Sequence, residues 1–221
     1  MPMPPAAPVY KLAFTFEVTM RWLAIFLLLG GVARAAGVPW IVASDDGKTR
    51  VTYRDLLSKN ARQVRAETHL AAAPERVWAV IVDFAHQTEF MPYLKQIRRL
   101  GPCDGGSYFY ERISPPIIDQ RDYTVCVRLV ADPKTEHFSR SWTLANDHGP
   151  ALKEGVVRVP INEGSYELSP DKKGGTRLVY TVLTNPGGSI PAWIAKRAST
   201  SSTTDLLDAI RHRVHDPKWK R

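Results

Sequence analysis

From Gln63 to Thr184 the chain alternates apolar and polar residues in short runs, interrupted once by a helical period. Alternation of period two marks strands with one buried face. The stretch "WIVASDDGKTRVTYRDL" holds two such runs around Asp46-Gly47, a strong hairpin signal. "QVRAETHL" alternates Val64, Ala66, Thr68 and Leu70 and predicts a third strand. In "AAAPERVWAVIVDFAHQTEFMPYL" the period lengthens. Val77, Val80, Ile81 and Phe84 recur at helical spacing after Pro74, a residue that a first helical turn tolerates. Five β-type runs follow at about 94–100, 106–114, 120–130, 136–144 and 155–168. A sixth, "TRLVYTVLT", comes after the turn "SPDKKGG". Pro, Gly and Asp clusters separate these runs without a helical period, which predicts an antiparallel meander.

The final segment, "GGSIPAWIAKRASTSSTTDLLDAIRHRV", returns to helical spacing. Ser189 can cap it, and Pro191 falls in the first turn. Ile190, Trp193, Ile194, Ala198, Ser201, Leu207, Ile210 and Val214 form one stripe. Small residues from Ala198 to Thr204 thin that stripe where the helix would cross a sheet, leaving room there. The predicted class is α+β: a curved antiparallel β-sheet wrapped around a long C-terminal α-helix.

Alternation also assigns faces. Phe109, Glu111 and Ile113 share one, as do Arg121, Tyr123, Val125, Val127 and Leu129, and as do Phe138, Arg140, Trp142 and Leu144. Asp122, Thr124, Cys126 and Arg128 lie opposite. Each apolar face therefore carries one charge, Glu111, Arg121 or Arg140. A lone buried charge is costly, so these three call for a partner or a ligand.

Composition narrows the class. With 221 residues, 44% of them hydrophobic, one domain with a real core is the expectation. "MRWLAIFLLLGGVARAAG" has a basic start at Arg21, an apolar run from Trp22 to Leu29 and a small-residue site at Ala33-Arg34-Ala35. That is the pattern of a secretory signal peptide starting at Met20 and cleaved near Ala35. Its apolar run falls short of the roughly 20 residues that a bilayer span needs. Residues 36–221 are then the mature domain. Removing residues 1–35 takes Lys11, Arg21, Arg34 and Glu17, lowering the net charge of +8 by two. A basic exported protein favours anionic surfaces, lipid headgroups before nucleic acid. Export also puts Cys103 and Cys126 where thiols can pair, and the sequence leaves them bridged or free.

Several stretches, in order, resemble the START lipid-transfer family, named for the steroidogenic acute regulatory protein, within the helix-grip class. "APERVWAVIVDFAHQTEFMPYLKQIRRL" is similar to the early helix and following strand, and "SYFYERI" and "RDYTVCVR" to the paired central strands. "GVVRVP" and "TRLVYTVLTNPGGSIPAWIAKRAS" resemble the last strands and the lid helix. The likeness covers about residues 62–214. It implies binding of one lipid or sterol-like molecule between sheet and final helix, without a metal or organic cofactor. It further implies an acidic and a basic side chain on neighbouring strands that meet the polar end of the lipid. Glu111 matches the acidic position. The basic position falls at Val127, a departure, and Arg140 is expected to supply the missing charge. Tyr123, Val125, Val127, Trp142, Trp193 and Ile194 complete the expected lining. Arg121 and Asp122 read mainly as architecture at the tunnel end, with Asp122 tying down the "SPPIID" loop and Arg121 able to touch a headgroup.

Signatures of catalysis are sparse. No G-x-S-x-G elbow occurs, and the turns "DKKGG" and "NPGG" do not lead through G-K-[ST] into a helix. His212 and His215 lack a third metal ligand in the sequence pattern. Relatives of this general fold act as aromatase/cyclases, so an enzyme using Glu111 or Tyr123 is the second expectation. A structural module whose tunnel is plugged by Trp142 and Trp193 is the third. Lys196, Arg197, Arg211, Arg213, Lys218, Lys220 and Arg221, with Trp193 and Trp219, suggest transient contact with anionic membrane.

Overall fold

Among the described residues, strand pairing gathers the alternating runs into one ten-stranded sheet. The structure, a computed structural model, describes residues 38–190 and 192–217, with side chains in the last helix from Ser201 onward. The expected leader, residues 1–35, lies outside the described residues.

Strands β1 (Ile41–Asp45), β2 (Thr49–Leu56) and β3 (Ala61–Leu70) form consecutive antiparallel pairs. The chain then leaves the sheet through helices α1 (Pro74–Val82) and α2 (Gln87–Phe90). It re-enters at the far edge with β4 (Leu94–Cys103), β5 (Gly106–Ile113), β6 (Gln120–Asp132) and β7 (His137–Leu144). After a short β8 (Val156–Arg158) come β9 (Ile161–Pro170) and β10 (Thr176–Asn185). The spatial order is β1-β2-β3-β10-β9-β7-β6-β5-β4, with β8 paired to β6 off this path. β10 pairs with β3 from Thr176↔Leu70 to Thr184↔Arg62, joining the first hairpins to the rest.

The expected meander therefore holds for β4, β5, β6, β7, β9 and β10 but needs a correction at residues 155–168. That run is two strands, and the first of them pairs with β6 in parallel. Pro160 sits between them, and a residue without an N–H breaks a ladder. The early helix also stops sooner than its periodicity suggests. Asp83 leaves the helical backbone at φ −79°, ψ 65°. Phe84 thereby reaches the sheet and stacks on Phe109 with ring centroids 4.2 Å apart.

The long helix α3 (Ala192–His215) buries Thr203, Leu207, Ile210 and Val214. Ser201, expected on that stripe, is exposed, and Thr203 takes the inward position. Arg76 of α1 donates from Nε to the Val214 carbonyl at 3.1 Å, and Arg211 Nη2 donates to Thr68 Oγ1 on β3 at 2.7 Å. These bonds dock the C-terminal half of α3 beside α1 and over β3. Among the described residues no helix is long and apolar enough to cross a membrane.

At the opposite end, Gly106 lets the β4–β5 hairpin tip lie on β6. A Cβ there would stand 1.9 Å from the Val127 carbonyl oxygen. The close approach brings Cys103 to Cys126, and the two form a disulfide with Cα atoms 6.0 Å apart. It spans 23 residues. Loop-closure entropy for a bridge of that reach amounts to about 3 kcal/mol. Replacing both cysteines by alanine should lower the melting temperature by about 6–12 °C, at roughly 2–4 °C per kcal/mol for a domain of this size. Calorimetry of that variant checks it; an unchanged melting temperature would show that the bridge constrains nothing.

Candidate functional site

The sheet curls so that one face of β5, β6, β7, β9 and β10 bounds a chamber of about 270 Å³. Thr203 and Leu206 of α3 form part of its cover, together with Met91, Pro92 and Tyr93 from the segment after α2. Tyr93 donates its hydroxyl to Asp205 of α3 at 3.2 Å, fastening that segment to the helix. Val64, Val125, Val182 and Leu206 supply apolar lining. An aromatic belt of Trp142, Tyr166 and Tyr180 completes the wall, with Tyr166 and Tyr180 centroids 4.9 Å apart. Trp142 lies flat because β9 carries Gly164 beneath it, where a Cβ would come within 2.6 Å of the ring. Its Nε1 donates to Asn162 Oδ1 at 3.0 Å. The indole is thus held on the wall instead of filling the space.

Polar groups converge at one place in this wall. Tyr123 donates its hydroxyl to Glu111 Oε2 at 2.7 Å. Arg140 Nη2 stands 3.6 Å from Glu111 Oε1. Arg140 Nη1 and Gln87 Nε2 both donate to the Ile81 carbonyl in the last turn of α1, at 3.1 and 2.9 Å. The guanidinium lies over Phe84 at 4.6 Å from the ring centre. Arg140 therefore ties helix α1, sheet and carboxylate together. Burial pushes the Tyr123 phenol well above its ordinary pKa, helped by the charge of Glu111 and the bond to it. Burial likewise raises Tyr180 well above its usual range and Tyr166 to about 12. All three phenols stay protonated at neutral pH.

Of the residues expected to bind ligand, Glu111, Arg121, Tyr123, Val125, Arg140 and Trp142 line this chamber. Val127 does not. It shares their face but lies two residues beyond Val125, about 7 Å further along the strand. There it borders a second hollow with Phe84, Ile97 and Phe109. Trp193 and Ile194 lie in α3, and their side chains fall outside the described residues. Missed beforehand were Gln87, Asn162, Tyr166, Tyr180 and Thr203. The same alternation, continued through "INEGSYELSP" and "TRLVYTVLTN", places Asn162, Tyr166 and Tyr180 on the inner face.

Arg121 and Asp122 part company. Asp122 faces the other side of the sheet, 1% exposed beneath the 145–160 segment. It accepts bonds from Arg158 Nε and Nη2 at 2.6 and 3.1 Å and from the Tyr110 hydroxyl at 3.0 Å. Its backbone carbonyl accepts the Val159 amide, so it anchors the 145–160 segment as well as the strand. The expected cationic face at the C-terminus is partly spent internally. Arg211 pairs with Asp208, and Arg213 bonds Glu89 of α2 at 2.9 Å. Lys218, Trp219, Lys220 and Arg221, and the side chains of Lys196 and Arg197, lie outside the described residues.

Residues 61–214 match the family described as polyketide cyclase / dehydrase and lipid transport. The chain belongs to that family. A STAR-related lipid transfer protein of Xanthomonas axonopodis superimposes with a TM-score of 0.69 at 27% identity, covering 80% of this chain and 99% of that one. Human StAR-related lipid transfer protein 5 gives a TM-score of 0.71 at 16% identity, covering 78% and 85%, a likeness of fold alone. An uncharacterized Pseudomonas aeruginosa protein is 23% identical over 196 residues, 88% of this chain and 95% of its own length. Bovine phosphatidylcholine transfer protein is 26% identical over 139 residues, 61% of this chain and 64% of its length. The ten-stranded, mostly antiparallel sheet with its C-terminal helix is the START lipid-transfer, or helix-grip, fold.

Two measurements test this geometry. Folded Tyr166 keeps its proton to about pH 12, whereas an unfolded tyrosine releases it near 10. Between those values the unfolded chain binds fewer protons, so stability falls as pH rises through the window. Tyr166→Phe should flatten that decline in urea titrations; an identical pH profile would contradict its burial. Asp122→Ala strands the Arg158 guanidinium and should cost about 3–5 kcal/mol in the same assay. A loss below about 1 kcal/mol, the scale of an exposed pair, would rule out the anchoring role.

Proposed function

We propose that the protein binds, and hands on without chemical change, a lipid or other apolar small molecule held between the sheet and α3. The chamber carries this reading. It combines apolar and aromatic walls with a few converging polar groups, the usual make-up of a small-molecule site. The kinship with lipid-transfer proteins supports it. The Glu111–Tyr123–Arg140 group offers hydrogen bonds to a polar part of the guest.

Two features favour carriage over catalysis, although the family description also includes cyclases. Glu111 is engaged by both Tyr123 and Arg140. The buried phenols have pKa values far from neutrality, whereas a general acid or base works best near the operating pH. The leader-like stretch from Met20 to Ala35 and the Cys103–Cys126 bridge support export to an oxidising compartment. Exchange at an anionic membrane is part of the proposal, served by basic residues other than Arg211 and Arg213.

Solvent extraction of the purified protein followed by mass spectrometry should yield a stoichiometric apolar compound. Val182→Trp, which places an indole in the chamber, should cut retention of that compound about tenfold or more, at an overpacking cost of about 1–3 kcal/mol. Full retention by a folded Val182→Trp protein would remove the chamber from the binding account.

A further inference from the structure

Resting on the reading of the chamber as a binding site, we propose that the guest carries an anionic head, a carboxylate or phosphate, which pairs with Arg121. Arg121 is only 2% exposed and lines the chamber beside Tyr123 and Val125. Its register neighbours, Ile113 on β5 and Val157 on β8, are apolar. Nη1 donates to the backbone carbonyl of Asp119, and buried Nε has no partner. No carboxylate among the described residues forms an ion pair with it. Asp122 faces the opposite side and is held by Arg158 and Tyr110. Glu111 is held by Arg140 and Tyr123.

Among the described residues the chamber holds two guanidinium groups, one carboxylate and neutral phenols. One positive charge is left over. Desolvation pulls the Arg121 pKa down, opposed by the charge of Asp119, yet a guanidinium remains protonated in proteins. A buried cation with no carboxylate in ion-pair contact is destabilising, and an incoming anion removes that cost. The planar fork suits two oxygens of a carboxylate or phosphate. The neutral Glu111–Arg140 pair offers no such selection for charge.

Position and size narrow the guest. The 185–190 loop closes on the guanidinium, where a Cβ on Gly188 would lie 3.6 Å from Arg121 Nη2. The head would lie beneath that loop and the tail along Val125, Trp142 and Val182. At about 270 Å³ the chamber sits below the roughly 300–1,000 Å³ usual for ligand pockets. A single-chain amphiphile suits it better than a two-chain phospholipid.

The test is a competition assay at neutral pH with dodecanoate, dodecyl phosphate, dodecanol and inorganic phosphate. Either dodecanoate or dodecyl phosphate should bind about tenfold to a hundredfold more tightly than dodecanol, the range of a charge-assisted hydrogen-bonded pair. The two acids distinguish a carboxylate from a phosphate head. Arg121→Gln should bring that ratio close to one, and Arg121→Lys should keep part of it. Equal binding of the acids and the alcohol to the wild type, which needs no variant, overturns the proposal and leaves the chamber reading intact. A preference that survives in Arg121→Gln also overturns it, as does inorganic phosphate binding as tightly as dodecyl phosphate. Failure of all three amphiphiles to bind defeats both the anion proposal and the chamber reading.

Discussion

A charge moved out of water must be met by an opposite charge or by a full set of hydrogen bonds. Much of this structure is arranged around that constraint. Asp122 is met by Arg158 and Tyr110, and meeting it pins the 145–160 segment across the outer face of β6. Glu111 is met by Tyr123 and Arg140, and the rest of Arg140 is spent on the end of α1. Each solved charge is therefore also a structural joint. Arg121 is the exception, and its position under the Gly187–Gly188 turn makes it the natural place for a ligand to complete the pattern.

The walls follow a second constraint, that aromatic rings near a cavity must be held back from it. Gly164 gives Trp142 a flat bed, and Asn162 holds its N–H. Tyr166 and Tyr180 lean on one another instead of crossing the space. On α3 the run of small polar residues puts Ser202 and Thr203 at the chamber, where larger side chains would close it. The hollow is thus a product of packing choices on four elements, β7, β9, β10 and α3, while Leu207, Ile210 and Val214 secure the far half of the same helix.

Much of this was legible in the sequence because strand alternation is a strict period. It placed Glu111, Arg121, Tyr123, Val125, Arg140 and Trp142 on one face from three short stretches. Alternation gives a face but not a position along it, which is why Val127 falls outside the chamber. Nor could register foretell the contact between Arg140 and Glu111. Arg140 pairs along the sheet with Leu129, six residues from Tyr123, and only the curl of the sheet brings the side chains together. The expectation of an acid–base pair came from the family pattern. The broken 155–168 run had a visible cause in Pro160, whereas the parallel pairing of β8 depends on Asp122 and Arg158 meeting across strands distant in sequence.

The central claim is that the space under α3 shelters an apolar guest. A crystal structure of the protein as purified addresses it most directly. The account predicts continuous elongated density in the chamber, running past Val125 and Tyr166 toward Thr203. A chamber filled by the protein's own aromatic side chains, or holding only hydrogen-bonded water, would contradict it.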